Sequence, residues 1–345
     1  MLIYNLLCVV TQNDSMLRKN MYFCILEYNY QIMREIIRLT TISIVVCLMF
    51  AACLSSEDRP IMQTERQKEH IIYPSDSELF SVSQTQKVFF SKGNLQYRAS
   101  TNTWRFAEHQ WDYVGATEVY TCEVGGTVAG SSNHLISPTY DGWIDLFGWG
   151  TGDCPTALSS EKTQSTFSDW GSNTISNGEG CIWRTLTDSE WDYVLFKRNT
   201  ASGIRHAHAV VNGINGLIIL PDNWKSEYYT LNGANKTEYS QKISCYDNMV
   251  SLSDWNNKLE KFGAVFLPTA GQRRRMCIEH NKETGECCQW GACVDFVGYS
   301  GSYWTATAIY GSKASSVRIH SFDLMIGDFN SIGDGKSVRL VCDKQ

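Results

Sequence analysis

The chain has 345 residues, of which 12% are aromatic and only 19% charged, with 11 Trp and 17 Tyr. That is the composition of a folded, turn-rich globular protein and excludes a disordered one. A net charge of -6 and a pI near 5.7 leave no electrostatic footprint for nucleic acid, so no nucleic-acid partner is expected.

The first recognisable element is a leader. Met33 to Arg38 is short and net basic, and Leu39 to Ala52 is an uncharged apolar run. Such a run is too short to span a bilayer comfortably but fits the core of a signal peptide. Phe50-Ala51-Ala52-Cys53 then resembles a bacterial lipobox, which implies cleavage before Cys53, lipidation of that cysteine and a membrane partner through the lipid anchor. An ordinary signal peptide or a single anchor helix is the alternative. Residues 1–52 are thus an upstream extension plus signal peptide, with the true start expected at Met33. The acidic Leu54 to Asp58 stretch resembles the surface-export signal of Bacteroidetes lipoproteins, which implies an outer-membrane, surface-exposed location. Its plain alternative is the polar start of a linker.

Residues 53–77 read as the lipidated cysteine and a flexible tether, polar and aperiodic. One domain is expected over 78–345. Lys87 to Tyr97 reads as a long strand with an irregularity at Gly93, and Thr103 to Phe106 as its hairpin partner across the Ala99 to Asn102 turn. Residues 115–180, rich in Gly, Ser and Thr, read as a long ordered loop packed by Trp143, Phe147, Trp149 and Trp170. Thr187-Asp-Ser-Glu190 is a capping box, so a helix is predicted over about 188–198. His206 to Val211, Asn212-Gly213 and Ile214 to Leu220 predict a hairpin with a type I′ turn. Ser253 is read as the cap of a second helix, with Trp255 and Leu259 on one face and Gly263 as its stop. A strand over 264–268 and a cysteine-rich loop follow.

The stretch Gly298 to Cys342 is read as the closing antiparallel sheet, with glycines punctuating short strands. Ser316 to His320 and Ser337 to Val341 alternate apolar with polar residues, so each is predicted to bury one face and wet the other. Trp304 is read as core. The Arg273-Arg274-Arg275 run reads as a solvated loop, with a phosphate or acid-sugar contact as the alternative.

Four segments together resemble a known family. They are Trp183 to Tyr193 (WRTLTDSEWDY), Gly263 to Gly271 (GAVFLPTAG), Gly301 to Thr305 (GSYWT) and Gly335 to Val341 (GKSVRLV). They are similar to the C-type-lectin-like fold in its formylglycine-generating-enzyme (sulfatase-modifying) branch, as in Bacteroides surface lipoproteins and Fibrobacter-type paralogous domains. The resemblance implies an α+β, C-type-lectin-like domain over roughly 78–345, with short antiparallel sheets, two main helices and long ordered loops. Fold alone does not fix activity, so each chemistry is weighed at its own residues.

In that family an oxidase uses paired, copper-binding cysteines shortly before the terminal strand, yet residues 305–335 contain no cysteine. No enzymatic activity is therefore expected. A calcium site of the animal-lectin kind lacks its Glu-Pro-Asn loop, and Asp323, Asp328 and Asp334 read more simply as turn formers. Cys277, His280, Cys287, Cys288 and Cys293 do not repeat a standard zinc spacing, so loop-stapling disulfides are the plainer reading. His206 and His208 read as cross-strand packing. No metal and no cofactor are expected. Nine cysteines follow the leader, an odd number that cannot pair completely within one chain. What remains is a binding surface for an extracellular protein or glycan, formed by the closing sheet and the 272–300 insertion. Trp290, Tyr299, Tyr310, Arg318 and His320 are its candidate ligand-binding residues, because aromatics and arginine anchor interfaces and aromatic faces suit sugars. A structural or pilus-associated surface subunit is the alternative.

Overall fold

The structure, a computed structural model, describes residues 78–114, 116–122, 126–131, 139–157, 167–281, 283–320 and 323–344. For 116–122, 126–131, 239, 275–280 and 287–293 it describes the backbone alone. The leader, Cys53, the tether and Phe322 lie outside the described residues. So do the side chains of Trp290, Cys277, His280, Cys287, Cys288 and Cys293.

The chain is α+β, and among the described residues its short sheets are antiparallel in all but one strand pair. It opens with β1 (Phe80–Ser81), β2 (Lys87–Phe90), β3 (Leu95–Arg98) and β4 (Thr103–Phe106). The predicted long strand is therefore two strands, and they enter different sheets. Gly93 sits at the break, where an added Cβ would lie 2.4 Å from the Ala107 carbonyl oxygen, so only glycine fits the crossing. The β3–β4 hairpin forms as predicted, closed by Asn102 at φ 48°. Residues 115–180 are not a bare loop. They hold β5 (Ala116–Cys122), β6 (Gly126–Ser131) and β7 (Trp143–Ile144), although Phe147, Trp149 and Trp170 are buried as expected.

After β8 (Trp183–Thr185), Thr187 and Glu190 close a reciprocal capping box on α1 (Asp188–Asp192). The helix continues as a π turn over Tyr193–Lys197 and stops where Arg198 becomes extended. β9 (His206–Val211) and β10 (Ile214–Ile219) pair across Asn212 and Gly213, both at positive φ, as a type I′ turn requires. β11 (Met249–Val250) precedes α2 (Leu252–Asp254). Its cap is Ser251, whose hydroxyl accepts from the Asp254 amide; Ser253, the predicted cap, lies inside the helix. Both serines fit the cap preference, and the backbone turn two residues earlier decides between them. Gly263, at φ 85°, ends the helical stretch as predicted.

The remaining strands are β12 (Val265–Pro268), β13 (Gln272–His280), β14 (Cys287–Asp295), β15 (Ser300–Ala308), β16 (Lys313–His320), β17 (Asp323–Ser331) and β18 (Leu340–Asp343). The insertion read as a cysteine-rich loop is thus a long hairpin, β13–β14. Two four-stranded sheets, β1-β2-β18-β8 and β11-β9-β10-β12, stand beside the three-stranded β15-β16-β17. Leu217 and Ile219 of β10 join one core with Trp191, Tyr303 and Val317, while Ile218 and Leu220 join another with Trp224 and Trp255. Both faces of that sheet are therefore buried, so Leu217 to Leu220 and Val265 to Leu267 read as continuous apolar runs and even His206 and His208 of β9 are buried.

β15 ties these layers together. Tyr303 donates its hydroxyl to the Pro268 carbonyl at 2.8 Å, and Trp304 donates its indole N–H to the Phe147 carbonyl at 2.6 Å. The Thr305 hydroxyl donates to Asp188 on α1 at 2.7 Å. The predicted one-face burial holds from Val317 to His320, where Arg318 and His320 stay partly exposed between buried Val317 and Ile319, but Ser316 is buried. It fails at Ser337 to Val341, where Ser337 and Arg339 are buried along with their apolar neighbours because both faces of that segment meet protein. Arg273 is also buried rather than solvated, since β13 lays it against Gly335.

Candidate functional site

The outer face of the β15-β16-β17 sheet carries a pocket of about 370 Å³. Strand register explains its lining. Ser300 pairs with His320 and Ser302 with Arg318, so these four side chains share one face of β15 and β16. On β17, Asp323 stands opposite His320 and Asp328 opposite Ser316. Asp328 reaches that face through a bulge, with Gly327 inserted at φ 78° between Ile326 and Asp328. Without the extra residue the pairing would put glycine at Asp328's place. Gln272 and Phe296 complete the lining from the base of the β13–β14 hairpin.

A charged brace fixes the floor. Arg318 donates through Nη1 to Asp328 Oδ1 at 3.1 Å and through Nη2 to Asp323 Oδ2 at 3.2 Å. Asp328 Oδ2 accepts from Asn330 Nδ2 at 2.9 Å. All three charged groups are only partly exposed, so the guanidinium is pinned between two carboxylates with little rotational freedom. Behind them Lys336 is fully buried and donates its ammonium to Gln272 Oε1 at 3.1 Å. Burial pushes the Lys336 pKa down from 10.5 to about 8, although Asp328 and Asp334 oppose that. Burial also lowers the His320 pKa, against the pull of Asp323, so the imidazole is neutral at pH 7. With His320 neutral, one guanidinium and two carboxylates leave the lining with a net charge of -1.

The rim is aromatic. Tyr299 packs edge-on against His320 with ring centroids 4.2 Å apart, and Phe296 lies 6.5 Å from Tyr299. Both rings are about half exposed. Phe296 holds φ at 59°, a left-handed conformation that a bulky side chain rarely adopts. The Arg274 guanidinium lies 5.5 Å from the Phe296 ring and is itself paired with Asp295, which helps hold that conformation.

Of the sequence-predicted residues, Arg318 and His320 line the pocket and Tyr299 packs against His320. Tyr310 does not join them. It is strongly exposed in the turn between β15 and β16, at the opposite end of that hairpin from Ser300. The Trp290 side chain lies outside the described residues. Asp323 and Asp328, read as turn formers, are strand residues that brace Arg318. Ser300, Ser302, Gln272 and Phe296 were missed as well. A period-2 reading of β15 finds Ser300 and Ser302, whereas Asp323 and Asp328, five apart on β17, share a face only through the bulge, and Gln272 and Phe296 lie on other segments. His206 and His208 are buried within β9, and among the described residues no cluster of three or more His, Cys, Asp or Glu suits a metal ion.

Comparison with protein-family models, curated proteins and solved structures gives no match for this chain.

Proposed function

We propose that this chain is a surface-anchored lipoprotein of the outer membrane whose C-type-lectin-like domain, without catalysis, binds an extracellular protein or glycan in the pocket on the β15-β16-β17 sheet. The observation that carries the reading is the braced Arg318 beneath two exposed aromatic rings. Fixed donors and acceptors under an apolar rim recognise a polar group, because little side-chain entropy is lost when it docks. The net negative lining favours a neutral or cationic group over an anion.

The test is binding of the purified chain to glycan and extracellular-protein arrays, with calcium and with chelator. Saturable, chelator-insensitive binding is expected. It should weaken at least tenfold in Arg318→Gln and in Phe296→Ala, since anchor truncations cost about 2 kcal/mol. Binding that survives both changes would move the site elsewhere. Binding to nothing, with polymers in solution, would favour the structural-subunit reading, for which β17 offers an edge strand carrying exposed Met325 and Phe329.

A further inference from the structure

Four cysteines with described side chains are thiols in this structure: Cys154, Cys181, Cys245 and Cys342. Two of them lie close together. Cys342 lies on β18, where its register partner is Trp183 of β8. Cys181 sits two residues before Trp183, so the pairing of β8 with β18 brings it diagonally beside Cys342, close enough for that thiol to perturb its own. A second contact holds the same register. Arg184 of β8 donates to Asp343, next to Cys342, through Nε at 3.0 Å and through Nη2 at 2.8 Å. Cys154, by contrast, turns its thiol to the Asp153 carboxylate, and Cys245 is buried in another part of the fold.

We propose that Cys181 and Cys342 close a structural disulfide that staples β18 to the segment entering β8. This is independent of any reading of the pocket. β18 lies between β2 and β8, and β2 belongs to the first strands of the domain. The bond would therefore tie the C-terminal strand to residue 181 and close a long loop of chain, the case in which a crosslink most restricts the unfolded state.

The chemistry is thiol–disulfide exchange with a small disulfide such as oxidised glutathione. Cys181, the more exposed sulfur, attacks the small disulfide, forms a mixed disulfide and releases one small thiolate. Cys342 then displaces the second small thiolate from Cys181. The two protein thiols lose two protons and two electrons in all, and the reagent leaves as two thiols. Burial and the neighbouring Cys342 push the Cys181 thiol up to about 12, so little thiolate exists at neutral pH. Exchange is consequently slow, which suits a bond made once rather than a rapid sensor.

The experiment incubates the purified full chain with oxidised glutathione, alkylates residual thiols and digests with trypsin without reduction. The expected product joins peptide 163–184 to peptide 340–344, lighter than their sum by two hydrogens. Its formation should raise Tm by roughly 5–10 °C, reversibly with reductant, and Cys181→Ser should abolish both effects. Far-UV circular dichroism of Cys181→Ser shows whether that variant folds. Alkylation of both cysteines after oxidation, or a link from Cys181 to another cysteine, would overturn the pairing. A formed link with no change in Tm would overturn its structural role.

Discussion

Replacing Lys336 by methionine probes the charge buried behind the pocket. Lys336 is fully buried, donates to Gln272 and lies with its ammonium 5.3 Å from the Trp304 ring. Burial is the main reason that its pKa falls from 10.5 to about 8, and that displacement weighs about 3 kcal/mol against the charged form. The sign follows from proton counts. Between pH 8 and the ordinary lysine value the unfolded chain keeps a proton that the folded chain has released, so stability rises with pH there. Below pH 8 the whole cost is present. Methionine fills the same volume without charge, so the variant should be more stable than the native chain by about 1–3 kcal/mol at pH 7, the lower figure allowing for the lost bond to Gln272. The gap should close toward pH 10. Urea unfolding of both proteins at pH 7, 8, 9 and 10 under reductant measures it. Comparing the two curves cancels groups such as Tyr303, whose raised pKa acts oppositely at the alkaline end. A methionine variant less stable at pH 7, or a gap that does not change with pH, would refute the reasoning.

Two further changes test other parts of the structure. Asp222→Ala removes the carboxylate that accepts from Arg198 Nη1 at 2.9 Å and from the Ser81 hydroxyl at 2.6 Å, leaving a buried guanidinium unpaired. A loss of about 3–5 kcal/mol in urea unfolding at pH 7 is expected, and a loss under about 1 kcal/mol would contradict it. Burial works to raise the Asp222 pKa, but the Ser81 hydrogen bonds and Arg198 bring it below 3.8. Its contribution is therefore present above about pH 4 and lost as pH falls through that lowered value, so the native and variant curves should converge in acid. Phe296→Gly relieves a left-handed backbone at the rim, so stability should hold or rise by about 1 kcal/mol while array binding falls at least tenfold. A less stable variant that still binds would mean that the ring serves the fold and not the ligand.

Local signals in the sequence located much of the framework. The capping box at Thr187, the Asn212-Gly213 turn and the stop at Gly263 each depend on neighbours a few residues away, and each stands where it was read. Arg318 and His320 were also legible, because an arginine and a histidine two apart on a strand share a face. Their partners were not. Asp323 and Asp328 meet Arg318 only through the β16–β17 register, and that register turns on one bulge at Gly327. A bulge shifts every later residue to the other face, and no local propensity announces it. The irregularity read at Gly93 stands, but that it divides the strand between two sheets was not legible, since it depends on the close passage of Ala107.

The failed alternation at Ser337 to Val341 points to how short sheets are held together here. Arg339 was expected to face water, yet it donates through Nη1 to the Ser91 carbonyl at 3.0 Å and through Nη2 to the Phe266 carbonyl. Ser91 follows β2 and Phe266 lies in β12, so one guanidinium joins the two four-stranded sheets. Arg198 acts similarly at the end of the α1 stretch, donating through Nε to the Val194 carbonyl at 2.6 Å and through Nη2 to the Leu220 carbonyl. Strands of two to nine residues leave many carbonyls beyond the reach of a ladder, and each would be costly if buried without a donor. An arginine carries five N–H donors on a rigid plane and can serve carbonyls from several strands at once. Periodicity treats a charged residue in a strand as a mark of the wet face. In a domain assembled from several short sheets, that residue can instead be the link from one sheet to the next.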